Sequence, residues 1–163
     1  MSTNMIWQTV STSSENTEHL GELFGAQLKH GVVVELRADL GGGKTTFTRG
    51  LARGLGCKGQ IQSPTFTISR EYQGIRGLSL HHYDLYRLGE AGIVGEELSE
   101  SMLELETVTV IEWAEVATDK LPKERFIISF ISSAINPDER TITLYYPSSC
   151  YKMITEVENE FNS

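Results

Sequence analysis

The chain has 163 residues, 39% of them hydrophobic and 9% aromatic, which supplies one ordinary core and is too short for two. No run approaches the ~18 consecutive apolar residues of a membrane span, and the opening residues lack a basic stretch followed by an apolar one, so neither a membrane segment nor a secretory leader is expected. A net charge of -8 argues against a protein that grips nucleic acid by bulk electrostatics. Over residues 15–30, Leu20, Leu23, Phe24 and Leu28 recur at helical spacing, with Thr12 and Glu15 as a capping box and Gly31 as the stop. Val32-Val33-Val34-Glu35-Leu36 is a β-branched run of the kind buried in a parallel sheet. The cluster Gly41-Gly42-Gly43 follows, and residues 44–55 then read as a helix with Phe47, Leu51 and Leu55 on one face.

Residues 61–72 and 78–86 read as extended, and 96–106 as a charged helix. A second β-branched run over 107–111 ends at Glu112-Trp113. Residues 126–132 and 140–146 alternate as strands around the turn Asn136-Pro137-Asp138. This order predicts an α/β fold with a mostly parallel central sheet flanked by helices, as one domain over 1–163 with a core of about 12–146 and a tail of about 147–163.

Two cysteines, Cys57 and Cys150, make no disulfide framework, and a cytoplasmic, reducing home is the expectation. Residues 1–80 hold eight Lys/Arg against six Asp/Glu, whereas residues 81–163 hold six against sixteen. The local excess at Arg37, Lys44, Arg49, Arg53 and Lys58 suits a small polyanion bound at one spot, and equally suits a solvated surface.

The strongest local signal is Ala38-Asp39-Leu40-Gly41-Gly42-Gly43-Lys44-Thr45, between a predicted strand and a predicted helix. Glycines let successive backbone N–H groups turn around phosphate oxygens, and the helix N-terminus adds partial positive charge. Lys44 is positioned to reach the β- and γ-phosphates and the Thr45 hydroxyl to ligate Mg²⁺, so the fold is expected to be P-loop NTPase-like. Ala38 stands where G-x-x-x-x-G-K-[ST] has its first glycine. A second pattern, Gly54-Leu55-Gly56-Cys57-Lys58-Gly59, follows a helix instead of opening one, and reads as a helix stop. Two acids, Asp84 and Glu112, close predicted strands at the carboxyl ends where ligands bind in open α/β sheets. Trp113 follows Glu112 as a stacking face or a core residue, while His81 and His82, pointing to opposite faces, are read as structural.

Together, Leu40-Gly41-Gly42-Gly43-Lys44-Thr45-Thr46-Phe47, Ser63-Pro64-Thr65-Phe66, His82-Tyr83-Asp84-Leu85-Tyr86-Arg87-Leu88 and Ile111-Glu112-Trp113 occur in an order that resembles the TsaE (YjeE) family over roughly residues 12–146. The resemblance implies a cytoplasmic P-loop ATPase that works with the TsaB–TsaD pair in making threonylcarbamoyladenosine on tRNA, touching tRNA only through that complex. It implies that Leu40, Gly41, Gly42, Gly43, Lys44, Thr45 and Thr46 hold the phosphates of ATP. It further implies that Thr45 and Glu112 attend Mg²⁺, that Asp84 is the Walker-B-like acid, that Thr65 senses the γ-phosphate and that Trp113 closes the site. Lys44, Asp84 and Glu112 are the expected catalytic residues, and Ser14 or Thr17 expected nucleotide contacts. Two departures stand out: Ala38 replaces the usual glycine, and Gly42 stands where alanine is common. A small-molecule kinase and a non-catalytic nucleotide switch are the rival readings. The kinase lacks an arginine-rich lid after residue 90, and the absence of an Asn/Thr-Lys-x-Asp block favours ATP over GTP.

Overall fold

A computed structural model describes residues 4–39, 41–64 and 67–163. Seven strands form one sheet: β1 (Asn4–Ser11), β2 (Val33–Arg37), β3 (Ser69–Gln73), β4 (Ser79–Asp84), β5 (Thr107–Glu112), β6 (Phe126–Ser132) and β7 (Arg140–Pro147), in the spatial order β1-β7-β6-β2-β5-β4-β3. The α-helices are α1 (Ser14–Gln27), α2 (Lys44–Gly54), α3 (Gly92–Leu103) and α4 (Tyr151–Phe161), with 3-10 segments over Ala114–Lys120 and Ser148–Cys150.

The α/β class is as expected, but the sheet is mixed where a mostly parallel one was predicted. β6, β2, β5 and β4 run parallel, whereas β1–β7, β6–β7 and β3–β4 pair antiparallel. The cause is connection length. Only residues 74–78 join β3 to β4 and only residues 133–139 join β6 to β7, and a short turn can return the chain only antiparallel.

Several boundaries also move. The cap of α1 is Ser13, not Thr12: Ser13 Oγ accepts from the Asn16 amide at 3.0 Å, and Asn16 Oδ1 accepts from the Thr12 amide at 3.1 Å, a reciprocal pair built on Asn16 in place of Glu15. The helix ends at Leu28 in extended conformation, before Gly31. Helix α3 starts at Gly92, ahead of its expected span, and only the end of 61–72 pairs as strand. Strand β1, whose residues alternate between exposed and partly buried, and α4 lie outside residues 12–146, yet β1 extends the sheet along β7, and Ile154 and Val157 of α4 are buried in the main core.

Two cores sit on opposite faces of β2, as the alternation of a strand requires. Val34 and Leu36 face α1, α2 and α4, where Phe24 meets Phe126 edge-on at 5.1 Å between ring centres and Phe47 meets Phe130 at 5.7 Å. Val33 faces the other way, with Tyr83, Leu98, Ile111 and Ala117 under α3 and the 3-10 segment.

Helices α1 and α2 run in the same direction, since each follows a strand of the same sense, and they touch backbone to backbone. Gly21 and Gly25 on one face Gly50 and Gly54 on the other. A Cβ at Gly50 would lie 1.9 Å from the Glu18 carbonyl oxygen, and one at Gly25 2.3 Å from that of Leu51. At the far end, Arg76 donates to the carbonyls of Gly25, Ala26, Leu28 and Gly54 at 2.8–3.1 Å, so that one guanidinium satisfies the C-termini of both helices.

Gly50→Ala inverts the ordinary rule. A helix-interior glycine replaced by alanine normally gains up to about 1 kcal/mol, whereas here urea unfolding will show a loss of about 1–3 kcal/mol from the overpacked contact. Arg76→Ala will cost about 1–2 kcal/mol in the same measurement, through the carbonyls it leaves without a charged donor.

Candidate functional site

Strands β1, β6, β2, β5 and β4 all end on one edge of the sheet, and a polar cleft of about 340 Å³ opens there. Four groups of residues line it. Ser13, Ser14 and Thr17 come from the N-terminal end of α1; Gly41, Gly42, Gly43, Lys44, Thr45 and Thr46 come from the loop into α2; Ser63, Asp84, Glu112 and Trp113 come from the β4–β5 side; Asp138 and Arg140 come from the β6–β7 turn and the first residue of β7. Leu40 and Thr65, expected in the site, lie outside the described residues.

The loop requires glycine for two different reasons. Gly41 (φ 74°) and Gly43 (φ 109°) adopt left-handed conformations that side chains resist. Gly42 has an ordinary φ but no room: a Cβ there would lie 2.6 Å from the Ala38 Cβ and 2.9 Å from the Asp39 carbonyl oxygen. The two departures from the family pattern are therefore coupled, because the methyl carried at Ala38 occupies the space of a methyl at residue 42.

Lys44 is the first residue of α2 and is only 7% exposed. Its Nζ donates to the Ala38 carbonyl at 2.8 Å and the Asp39 carbonyl at 3.4 Å, and lies 4.4 Å from the centre of the Trp113 ring. Trp113 is held in a left-handed conformation (φ 57°), a strained backbone for a bulky residue, and its ring meets Tyr86 at 4.9 Å. That turn at the end of β5 carries the indole over the ammonium, where cation–π attraction and desolvation reinforce each other.

The two acids stand side by side. Asp84 and Glu112 are register partners at the ends of parallel strands β4 and β5. Asp84 accepts from the Tyr86 amide at 3.0 Å and from Ser63 Oγ at 3.4 Å, while Glu112 Oε2 accepts from His82 Nε2 at 2.9 Å. His82 is fully buried, and its Nδ1 is the buried side-chain polar atom without a partner among the described residues. The Nε2–H tautomer suits this arrangement, since the carboxylate offers only acceptors. His82, read from sequence as structural alone, thus orients one of the acids. The neighbouring His81 and Tyr83 point to the other face of β4, toward Glu97. Burial lowers the His81 pKa, and burial followed by the nearby Glu97 carboxylate raises that of Tyr83. Burial likewise raises the Cys57 thiol, away from a reactive thiolate.

The expected basic stretch does not converge on the cleft. Arg37 pairs with Glu35 at 3.0 Å, and Arg49 and Arg53 both pair with Glu18, leaving Lys44 as the member of that group on the lining. The helix starts supply the positive field instead. Arg140 and Asp138 were not singled out from sequence as site residues. Their signal was the Asn-Pro-Asp turn, which had only to be set on the carboxyl edge of the sheet. Among the described residues, no group of three or more His, Cys, Asp or Glu gathers as a metal cage.

A strand–glycine loop–helix turn with two carboxylates facing it across a polar cleft defines an α/β protein with its candidate site on the carboxyl edge of a mixed sheet. The chain belongs to the TsaE family: the model of the threonylcarbamoyl adenosine biosynthesis protein TsaE matches residues 11–142. It is similar to the tRNA threonylcarbamoyladenosine biosynthesis protein TsaE of Bacillus subtilis, at 38% identity over 152 residues covering 92% of this chain and 90% of that one. It is likewise similar to the protein of the same name from Treponema pallidum, at 39% identity over 74% of this chain and 87% of that one. The crystal structure of Bacillus subtilis YdiB superposes with a TM-score of 0.75 at 34% identity, covering 98% of this chain and 97% of that chain.

The steric pairing at the loop gives a direct test. Gly42→Ala alone will lower the thermal midpoint, and adding Ala38→Gly will recover part of the loss, because one of the two close contacts then disappears while that with Asp39 remains. Equal midpoints for the single and double variants would refute the coupling.

Proposed function

We propose that this protein is a Mg²⁺-dependent ATPase required, together with the TsaB–TsaD complex, for forming the threonylcarbamoyl group on adenosine 37 of tRNAs that read codons beginning with adenine. Membership of the TsaE family sets the pathway. The observation that carries the enzymatic part is the meeting, across one cleft, of the glycine loop with the adjacent carboxylates Asp84 and Glu112. The cytoplasm is the proposed location, and tRNA is reached through the partners, in keeping with a net charge of -8.

The donor set fits a magnesium nucleotide. The lining hydroxyls of Ser13, Ser14, Thr17, Thr45 and Ser63 and the carboxylates of Asp84 and Glu112 are hard oxygen ligands of the kind Mg²⁺ takes. Thr45 and Glu112 would hold it, with Asp84 beside them. Mg²⁺, when bound, supplies neutralisation of the charge that develops on the phosphate oxygens.

The chain's own residues do the rest by positioning. Lys44 exchanges the Ala38 and Asp39 carbonyls for β- and γ-phosphate oxygens, one set of acceptors for a more strongly charged one. Amides of residues 41–45 donate to the phosphates, with the partial positive charge of the α2 start behind them. His82 fixes Glu112 so that the two acids present a preset pair of acceptors for the attacking water, with Glu112 oriented to hold the cation when it is bound. Trp113, packed against Tyr86 outside the cleft, forms an aromatic wall that limits water at the γ end. The absence of an arginine-rich lid in the sequence favours this reading over a small-molecule kinase.

Steady-state ATP hydrolysis with Mg²⁺, measured with and without purified TsaB–TsaD, tests the proposal. A slow rate alone and strong stimulation by the pair are expected. Lys44→Ala and Thr45→Ala should each abolish turnover with the far-UV spectrum unchanged, and normal activity in either sinks the assignment. Asp84→Asn and Glu112→Gln, each assayed for binding and hydrolysis separately, divide the catalytic work between the two acids.

A further inference from the structure

The opposite edge of the sheet, where β2 and β6 begin and β7 ends, carries a second cavity that the proposed chemistry does not use. Its volume is about 330 Å³, on the scale of the cleft and within the ~300–1,000 Å³ of ligand pockets. It lies among the end of α1, the residues leading into β2 and the start of α4.

Its floor is apolar. Leu28 and Phe126 are buried, and Val32 and Met153 pack half-buried against the same core. Its rim is cationic. Lys29 and Lys152 reach it from two separate elements, and both are exposed. Among the described residues neither lysine is in an ion pair, whereas Arg37, Arg49, Arg53 and Arg125 are paired with carboxylates and Lys44, Arg76 and Arg140 donate to backbone carbonyls. His30, on the same rim, turns its Nδ1–H to the Gly31 carbonyl at 2.9 Å and adds no donor while neutral. Glu156, one turn beyond Lys152, opposes the positive charge in part. The apolar floor withdraws hydrocarbon surface from water, and two ammonium groups at the mouth take a negative charge without burying it. A bare inorganic anion gains nothing from such a floor, and a neutral hydrocarbon gains nothing from the lysines.

We infer that this cavity is a second ligand site, for a small organic anion: an aromatic or acyl body lies on Leu28, Val32, Phe126 and Met153, and its carboxylate, sulfonate or phosphate is held by Lys29 and Lys152. The site stands a strand's length from the glycine loop and is independent of the nucleotide reading. Cys150, half-buried on the lining, provides a chemical reporter for it, with the half-buried Cys57 as the internal control.

Fluorescence titration of the full chain with 8-anilinonaphthalene-1-sulfonate, and with N-phenyl-1-naphthylamine, which has the same rings without the sulfonate, tests it. The sulfonate should bind saturably and more tightly than the neutral probe. Lys29→Gln and Lys152→Gln should each weaken the sulfonate about threefold, the scale of an exposed ion pair, and about tenfold together, while the neutral probe is unchanged. Glu156→Gln should tighten the sulfonate. All three side chains are exposed, so the thermal midpoint stays where it was. Alkylation by N-ethylmaleimide, followed at each cysteine by peptide mass spectrometry, should be slowed at Cys150 and not at Cys57 by the bound sulfonate, and inorganic sulfate should protect neither. No binding of the sulfonate, equal affinity for the two probes, unchanged affinity in the double lysine variant, or protection of Cys150 by sulfate as strong as by the sulfonate overturns the inference. So does sulfonate binding that leaves a reactive Cys150 unprotected. Should Cys150 resist alkylation without any probe, the double lysine variant decides.

Discussion

The approach of α1 to α2 without intervening side chains is the constraint on which the site depends. Glycines spaced four apart on each helix let the two backbones meet, and the helices share one direction because each follows a strand of the same sense. Their N-termini must then open on the same edge, and both line the cleft. Parallel alignment brings like ends of two macrodipoles together, which is unfavourable in isolation. Arg76 offsets this at the C-terminal ends, and a bound anion would do so at the N-terminal ends. In the proposed reading, attraction for phosphate would come from fixed backbone amides and would need no broad basic surface on a chain of net charge -8.

The opposite wall is organised by burial instead of helix ends. Asp84 and Glu112 are register partners on two parallel strands, and two neighbouring carboxylates are costly to hold close without donors. The Tyr86 amide, Ser63 and His82 supply those donors. Lys44 lies between the walls, bonded to carbonyls of its own loop and covered by Trp113. Its charge is satisfied before any ligand arrives, so binding exchanges partners and need not create them.

Much of this was legible in the sequence where a local rule acts alone. The β-branched runs at 32–36 and 107–111 become central strands, and the glycine loop and both strand-end acids meet as their positions in the chain suggested. Legibility failed where distant segments decide the outcome. Asn4–Ser11, with Met5-Ile6-Trp7 apolar in a row, carries no period-two pattern in its sequence, and its alternating burial arises where it pairs along β7. Gly54-Leu55-Gly56 does stop α2 as read, but the close packing of Gly54 on the α1 backbone shows only in the fold, and Arg49 and Arg53 look like a phosphate patch until Glu18 and Glu22 pair with them. His82 and Arg140 act through partners 30 and 98 residues away in the chain, distances over which no motif reads.

The crowding between Ala38 and Gly42 also bears on how such a loop can change over generations. The two positions have room for one methyl group between them, and a methyl at residue 42 would in addition crowd the Asp39 carbonyl oxygen. A lineage with alanine at 42 and glycine at 38 cannot exchange them in either order at equal cost. The route through glycine at both positions crosses a looser but unobstructed loop, whereas the route through alanine at both crosses a steric barrier. The arrangement seen here is therefore reached from the other by losing a methyl before gaining one, and the order of the two substitutions is written in the distance between two carbon atoms.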